Sequence, residues 1–302
     1  MIPSIKAPTV KVCLQAPHVR IFLGDTENKM GERSKIEWTH HTFNPWWGCV
    51  KISEACKNCY AEAWAKRTGQ SVWGINAPRR FFGDAHWTEP AKWSRRLEGT
   101  GRRERVFCAS MADVFEDRHD VMESRARLWR LIAETPNLDW LLLTKRPENI
   151  LRFLPEDWGL GWPNVWLGTT VELQKRADEN LPHLVNAPAV VRFISAEPLL
   201  GDLDLRPYLP SLHWVITGGE SGPKARPASP TWFRNIHLQC MEAEVAFHFK
   251  QWGDWVPGDG DNLARKRLEH AQDGTPMIRL GKKLAGRALD GETHDGLPRI
   301  AI

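Results

Sequence analysis

The sequence predicts an α/β protein that forms a parallel (βα) barrel or partial barrel of the TIM type. Apolar runs of five or six residues recur along the chain, they lack polar–apolar alternation, and helix-like segments separate most of them. Continuous hydrophobicity is typical of strands buried on both faces of a parallel sheet. Strands that alternate with helices imply parallel neighbours joined by right-handed crossovers.

Seven strands are predicted. The first spans residues 35–39 and leads directly into a cysteine-rich loop. The others are predicted at residues 105–110, 140–144, 165–169, 190–195, 214–218 and 245–250. About seven strand–helix units favour an open or closed barrel over a dinucleotide-binding sheet, because no Gly-x-Gly-x-x-Gly motif follows the first strand.

Helices are predicted between most of these strands. Residues 60–67 are rich in Ala, Glu and Lys and are followed by Gly69, a common helix stop signal. Thr88 and Pro90 mark the start of another helix. Further helices are predicted at residues 121–134, 147–153, 171–184 and 230–244, whereas the proline- and leucine-rich link at 197–210 predicts none.

Three regions are predicted along the chain. Residues 1–34 form an N-terminal extension, and Met30-Gly31 suggests that an upstream start codon has been assigned in error. The barrel occupies residues 35–256, and a Gly- and Asp-rich peripheral tail occupies residues 257–302.

Composition limits the functional class. The 302 residues contain no apolar run of bilayer length and no signal peptide, so we expect a soluble cytoplasmic protein without a membrane partner. A net charge of +4 permits a nucleic-acid partner without requiring one, since 41 Lys and Arg against 37 Asp and Glu also describe an ordinary solvated surface. The 16 tryptophans serve as core or as stacking platforms for bases.

Cys49, Cys56 and Cys59 lie within eleven residues, and no fourth cysteine is near them in the sequence. A structural zinc site normally has four protein ligands, whereas a [4Fe–4S] cluster held by three thiolates leaves one iron open. The spacing therefore favours an iron–sulfur cluster. A zinc site completed by a histidine such as His41 is the alternative.

Polar side chains follow nearly every predicted strand, where the active site of such a barrel lies. The cysteine loop follows the first strand and therefore opens on the same rim. The remaining strand ends contribute Asp113, Thr144, Lys145, Arg146, Thr169, Glu172, Ser195, Glu197, Gly218, Gly219, Glu220, Lys250, Gln251 and Trp252.

The Gly218-Gly219-Glu220 turn is the most distinctive of these strand ends. Two glycines allow a close approach of backbone to a ligand, and the carboxylate can hold an ammonium group or ribose hydroxyls. A tight turn that needs a positive φ explains the glycines equally well. Arg226 is available for a carboxylate or phosphate, or is a solvated surface group.

Several motifs together resemble a family of bacteriophage and bacterial three-cysteine proteins related to radical S-adenosylmethionine (SAM) enzymes. The resemblance covers residues 34–295. The motifs are Ile36-Glu-Trp-Thr, Asn44-Pro-Trp, Gly48-Cys49, Cys56-Lys-Asn-Cys59-Tyr60-Ala61-Glu62, Leu143-Thr-Lys-Arg146-Pro147, Glu197-Pro198-Leu199, Gly218-Gly-Glu-Ser-Gly222, Arg226-Pro227 and Lys250-Gln-Trp-Gly253.

The resemblance implies a radical-SAM-like fold and two cofactors, a [4Fe–4S] cluster and S-adenosyl-L-methionine. Cys49, Cys56 and Cys59 would hold the cluster, SAM would chelate its open iron through amino and carboxylate groups, and a reducing electron donor would drive formation of a 5′-deoxyadenosyl radical. Cofactor contacts are expected at Tyr60, Thr144, Lys145, Thr169, Glu172, Ser195, Glu197, Gly218, Gly219 and Glu220. Substrate contacts are expected at Arg226, Lys250, Gln251 and Trp252.

The sequence departs from the usual superfamily pattern. The cysteines are spaced six and then two residues apart instead of three and two, and Asn58 replaces an aromatic residue that would contact adenine, a role that Tyr60 could take. The Gly-Gly-Glu that binds the SAM ammonium normally follows the second strand, whereas here it follows a late one. The assignment of Glu220 to SAM or to the substrate therefore stays open.

Some phage relatives take part in thymine hypermodification. The resemblance implies an isomerase that rearranges an amino-acid-modified thymine in phage DNA from an N-linked to a C-linked form and so protects the genome from restriction. Trp46, Trp47 and Trp252, at predicted rim loops, would help to hold the base. The alternatives are a thymine-photoproduct repair lyase with the same cofactors and a zinc-stabilised nucleic-acid-binding module. The choice between DNA and a modified nucleotide as substrate, and the oligomeric state, stay open.

Overall fold

The structure is a computed structural model that describes residues 31–258 and 267–299. The predicted N-terminal extension lies outside the described residues as far as residue 30. Residues 31–34 run beside the first strand, where the Gly31 carbonyl accepts a hydrogen bond from the Thr42 N–H at 2.9 Å.

Strands and helices alternate through most of the described chain. The described residues form twelve strands: β1 (His41–Thr42), β2 (Trp46–Trp47), β3 (Arg80–Phe81), β4 (Glu104–Cys108), β5 (Leu138–Thr144), β6 (Val165–Thr170), β7 (Val191–Ala196), β8 (Trp214–Gly218), β9 (Ala246–Gln251), β10 (Trp255–Pro257), β11 (Leu268–His270) and β12 (Pro276–Arg279). The α-helices of the same residues are α1 (Tyr60–Arg67), α2 (Asp84–Trp87), α3 (Glu89–Arg96), α4 (Met122–Ala133), α5 (Ile150–Phe153), α6 (Gln174–Asn186), α7 (Pro230–Glu242) and α8 (Lys282–Ala285). Short 3₁₀ helices occupy Glu54–Cys56, His119–Val121, Pro147–Asn149 and Leu209–Ser211.

Seven parallel strands form the main sheet in the order β1-β4-β5-β6-β7-β8-β9. This confirms the predicted α/β fold with a partial barrel, because β1 and β9 are the edges of the sheet and do not pair with each other. Residues 294–296 cover the edge of β9, where the Phe249 N–H donates to the His294 carbonyl at 3.0 Å. Covering both edges protects the sheet from pairing with other chains.

The core lies on both faces of the sheet. On β5, Trp140 and Leu142 pack in the cluster that joins the sheet to the outer helices. Leu141, between them, belongs to the aromatic-rich cluster on the inner face with Phe193 and Trp214. Burial on both faces explains the unbroken apolar runs in the sequence.

The first strand differs from the prediction at residues 35–39, which is wrong. These residues form turns, and β1 begins at His41 and pairs with β4. The Thr39 hydroxyl donates to the carbonyls of His41 and Arg105, both at 2.9 Å. A side chain that hydrogen-bonds to nearby backbone competes with regular strand pairing, so the threonine marks the turn before the strand.

The other elements lie close to their predicted positions. Helix α1 spans the predicted residues 60–67. Helix α6 begins three residues later than predicted, because the Val171 N–H donates to the Ser195 carbonyl at 3.1 Å and continues the sheet. None of the described helices is long and apolar enough to cross a bilayer.

The C-terminal segment contributes structure of its own. Strands β10, β12 and β11 form a small antiparallel sheet, and the short helix α8 follows it. The division of the chain at residues 34 and 256 stays a prediction.

Candidate functional site

A cavity of about 390 Å³ opens at the carboxyl ends of the parallel strands. The cysteine loop forms part of its wall, as expected for a loop that follows the first strand. Twelve of the residues predicted to contact a cluster, a cofactor or a substrate line it: Cys49, Cys56, Cys59, Tyr60, Thr144, Lys145, Ser195, Glu197, Gly219, Glu220, Lys250 and Gln251.

Five predicted site residues do not line the cavity: Thr169, Glu172, Gly218, Arg226 and Trp252. The Thr169 hydroxyl donates to the Thr144 carbonyl at 3.0 Å, and the Gly218 carbonyl accepts from the backbone after Glu197. The Trp252 indole N–H donates to the backbone at 2.7 Å, and its ring packs in the core. Glu172 and Arg226 contact the cysteine loop.

The three clustered cysteines are unpaired, and each is partly exposed at the cavity. Burial and then the nearby Asp113 carboxylate raise the pKa of the Cys49 thiol to about 12, although the Arg146 guanidinium opposes this shift. That guanidinium lies 3.6 Å from the Cys49 sulfur. Binding of a metal or cluster would therefore have to deprotonate Cys49.

Among the described residues, no three Cys, His, Asp or Glu side chains come close enough together to hold one metal ion. A cluster binds each thiolate through a different iron, so its ligands need not converge on one point. His41, the candidate fourth zinc ligand, is bound at 2.7 Å to Glu104 and stacks on Trp93, and it does not line the cavity.

Residues at the strand ends anchor the cysteine loop along its length. The Arg146 Nη2 donates to the Val50 carbonyl at 2.9 Å, after strand β5. After strand β6, the Glu172 carboxylate accepts the Ala55 N–H at 3.1 Å. These side chains satisfy backbone hydrogen-bonding groups in a loop that has little regular structure of its own.

Glu220 forms the third anchor. Its carboxylate is buried and pairs with Arg226, whose Nη2 lies 2.6 Å from Oε1. The Asn58 amide, between the second and third cysteines, donates to Oε2 at 3.1 Å.

A buried ion pair supports the first cysteine. Asp113 accepts from the Arg146 Nη1 at 2.9 Å and from the Thr144 hydroxyl at 2.7 Å. Asp113 also accepts the Lys145 backbone N–H at 3.1 Å. The polar groups that follow strand β5 thus form one network with the loop after β4.

A second ion pair faces the cavity from the opposite strands. The Lys250 ammonium lies 2.9 Å from both oxygens of Glu197. The Gln251 amide donates to the same carboxylate at 3.0 Å. These contacts use most of the hydrogen-bonding capacity of the Glu197 carboxylate.

Two ammonium groups at the cavity have no carboxylate partner within the described chain, those of Lys145 and Lys282. The three carboxylates that line the cavity, Asp113, Glu197 and Glu220, are all paired with arginine or lysine. The surplus charge is therefore positive and suits an anionic ligand. Lys282, on α8, was not among the predicted site residues, and its only signal was the basic pair at 282–283 in the predicted tail.

The tryptophans expected to stack on a base are buried. Trp46, Trp47 and Trp252 are packed away from solvent and do not line the cavity, so the interpretation of these residues as a stacking rim is wrong. Trp38 contributes an indole to the cavity instead. Outside it, Trp64 on α1 is 47% exposed and stacks against Arg67.

One protein family, described as "Protein of unknown function (DUF5131)", matches residues 33–298. No curated protein matches the chain significantly. Among solved structures, spore photoproduct lyase complexed with dinucleoside spore photoproduct is similar at 11% identity and a TM-score of 0.45, covering 84% of this chain and 72% of that one. A mutant of the same lyase is similar at 11% identity and a TM-score of 0.44, covering 82% and 70%.

Proposed function

The chain belongs to the DUF5131 family, and we propose that it is a radical SAM enzyme whose substrate enters the cavity at the mouth of the half-barrel. The observation that carries this proposal is the position of the three cysteines. Cys49, Cys56 and Cys59 are free thiols on one loop, and all three line one cavity, to which the ends of the parallel strands also contribute. A [4Fe–4S] cluster on three thiolates retains an open iron for a small molecule.

In this proposal Cys49, Cys56 and Cys59 would hold the cluster, and Tyr60, Ser195 and Gly219, which line the same cavity, would contact SAM. The cluster and SAM supply one-electron chemistry that can remove a hydrogen atom from an unactivated carbon. The protein contributes binding, orientation and exclusion of water.

The apolar part of the wall includes Trp38, Phe107 and Leu143, which restrict water near the reacting groups. The ammonium groups of Lys145 and Lys282 hold an anionic group such as a carboxylate or phosphate. On the opposite wall, Gln251 donates a hydrogen bond to Glu197, and Glu197 pairs with Lys250, so these two charged groups have fixed positions.

The proposed substrate is a modified base in DNA or in a nucleotide, and the proposed reaction is the N-linked to C-linked rearrangement of an amino-acid-modified thymine. This finer assignment is supported by the resemblance to phage three-cysteine proteins and by Lys145 and Lys282, the two cavity lysines that have no carboxylate partner among the described residues. The phosphate of a nucleotide, or the carboxylate of an attached amino acid, would supply a negatively charged partner for these two ammonium groups.

The first test is anaerobic reconstitution with iron and sulfide, followed by electron paramagnetic resonance of the reduced protein with and without SAM. We expect a cluster signal that changes when SAM is added and that is absent in Cys56→Ala. Cys108→Ala is the matched control, because Cys108 is buried in β4 and does not line the cavity. Colourless protein with one bound zinc and no reconstituted cluster would overturn the proposal in favour of a zinc-stabilised binding module.

The second test identifies the reaction. The reconstituted enzyme is incubated with SAM, a reductant and either amino-acid-modified or ultraviolet-irradiated DNA, and the nucleosides are analysed by mass spectrometry and chromatography. Isomerisation yields a product of unchanged mass and altered retention from the modified DNA. Conversion of irradiated DNA alone would replace the isomerase assignment with photoproduct repair.

A further inference from the structure

Four hydrogen bonds hold the carboxylate of Glu220 within the protein. Oε2 accepts from the Asn58 amide at 3.1 Å, from the Arg226 backbone N–H at 2.9 Å and from the Arg226 Nε at 2.8 Å. Oε1 accepts from the Arg226 Nη2 at 2.6 Å. An ionised carboxylate has about four acceptor positions, two on each oxygen, so these four donors leave at most one position, on Oε1, for a ligand.

The partners of Glu220 lead to the cysteine loop. Asn58 lies between Cys56 and Cys59, and its amide also donates to the Lys224 carbonyl at 2.9 Å. The Arg226 Nη2 also lies 3.2 Å from the Glu54 carbonyl, just before the second cysteine. The Glu220–Arg226 pair therefore forms hydrogen bonds with the loop on both sides of Cys56.

We propose that Glu220 is a positioning residue that, through Arg226 and Asn58, fixes the spacing of Cys56 and Cys59, and that it does not bind the ammonium group of a ligand. This inference rests on the proposed function in assigning the cysteines to a cluster. It reverses the role that the Gly218-Gly219-Glu220 sequence suggests by itself. A guanidinium group binds a carboxylate through two hydrogen bonds of fixed direction, so such a pair can hold a loop in a defined position.

The rest of the loop has similar support. Glu172 holds the Ala55 N–H, and Arg176 donates to the Ile52 carbonyl at 3.0 Å. Glu220 differs from Glu172 because its contacts reach the residue between the last two cysteines. Its loss should therefore affect Cys56 and Cys59 more than Cys49, which Arg146 contacts from another strand.

The test compares Glu220→Gln and Arg226→Met with the wild type in two measurements. The first is the alkylation rate of each cysteine in the metal-free protein, read by mass spectrometry of peptides. The second is iron content together with SAM affinity, followed through the cluster signal. Arg234→Met is the control, because Arg234, on α7, forms a bidentate pair with Asp290 that is more exposed than the Glu220–Arg226 pair and does not line the cavity.

A positioning role predicts that both variants alkylate faster at Cys56 and Cys59, by about three- to tenfold, with Cys49 and the control much less affected. Both variants should retain less iron, while the cluster that does form binds SAM with unchanged affinity. Loss of SAM binding in Glu220→Gln at full iron content and unchanged alkylation would overturn the inference.

The alkylation measurement separates this inference from the proposed function, because it uses protein without a cofactor. If the wild type binds no cluster, the radical SAM proposal fails. The alkylation rates of the cysteines still test the positioning role of Glu220. Asn58→Ala provides a milder variant if the others unfold, because Asn58 is only partly buried. It should raise the alkylation rates of Cys56 and Cys59 to a lesser degree, and rates equal to those of the wild type would contradict the positioning role of Glu220.

Discussion

Arg79 and Glu116 form a fully buried ion pair beside the cysteine region. The Arg79 Nη2 and Nε lie 2.6 and 3.0 Å from the two carboxylate oxygens. Its Nη1 also donates to the Val72 carbonyl at 3.1 Å, in the segment that follows α1. A buried charge that keeps several hydrogen bonds is tolerated, but either member left alone is costly.

We expect Arg79→Met to lower the free energy of unfolding by about 3–5 kcal/mol, because Glu116 would stay buried without its partner. The matched control is Arg152→Met, whose pair with Asp117 is exposed and should contribute less than about 1 kcal/mol. Urea unfolding of both variants measures the difference. Equal small losses would contradict the assignment of a structural role to the buried pair.

His248 on β9 has a strongly shifted pKa. Burial, and then the Arg287 guanidinium, lower its pKa to about 4, although Asp295 acts in the opposite direction. The ring packs edge-on against Trp214 on the inner face of the sheet. The imidazole is therefore neutral at physiological pH.

This shift predicts an acid-sensitive contribution to stability. Between pH 6.5 and about 4 the unfolded chain binds a proton that the folded chain does not, so stability falls as pH falls. The contribution approaches about 3 kcal/mol at the acid end. Unfolding curves at pH 7.0, 5.5 and 4.5 should show that His248→Phe loses less stability on acidification than the wild type, whereas the exposed His119→Gln should follow the wild type. Parallel curves for His248→Phe and the wild type would refute the prediction.

At the level of elements, close approach between the ends of β8 and β9 shapes one wall of the cavity. The Gly219 N–H donates to the Gln251 carbonyl at 2.9 Å. A Cβ atom at Gly219 would lie 1.9 Å from the Trp252 carbonyl oxygen, which belongs to backbone and cannot rotate away. The second glycine of the turn is therefore explained by chain contact, without reference to a ligand.

Gly219→Ala should force these two strand ends apart and destabilise the fold by about 3 kcal/mol. If the protein holds the proposed cluster, the variant should also retain less iron, because Glu220 follows directly. Gly83→Ala is the control, since a Cβ there meets no atom within 4 Å and its φ of −73° suits alanine. Thermal unfolding and iron analysis measure both effects, and a fully stable Gly219→Ala would show that the predicted clash is absent.

At the scale of the whole described chain, the parallel sheet brings distant residues to one mouth. Lys145 follows β5 and Lys282 lies on α8, more than 130 residues later, yet both line the same cavity. The adjoining helix α1 carries the exposed Trp64 with Arg67 over its ring. A basic mouth beside an exposed indole suits a single-stranded nucleic acid.

We expect single-stranded DNA to bind with an affinity that decreases as salt increases. If Lys145 and Lys282 each contact a phosphate, the Lys145→Ala/Lys282→Ala double variant should reduce the slope of log K against log salt by about 1.4, or about 0.7 for each contact. Fluorescence anisotropy of a labelled oligonucleotide measures this slope. Arg130→Ala is the control, because Arg130 is exposed in the last turn of α4, at the other end of the sheet. Equal slopes for the double variant and the wild type would exclude these lysines as phosphate contacts.

The sequence predicted the sheet well because strand burial leaves a local signal. The unbroken apolar runs located strands β4 to β9 to within a few residues, and the rule that parallel strands end on one rim placed the cysteine loop beside the other site residues. The exception was the first strand, where two paired residues are too short a run to leave a pattern.

Residue types and spacing alone identified the cysteine loop, the parallel half-barrel and twelve of the residues that line the cavity, because these features depend on local composition and on a general rule of topology. Only the tertiary structure decided what those residues contact. Glu172, Glu220 and Arg226 hold the cysteine loop, the rim tryptophans are buried, and Lys282 reaches the cavity from the C-terminal segment. A side chain's partner depends on which distant segment folds against it, and no local pattern in the sequence carries that information.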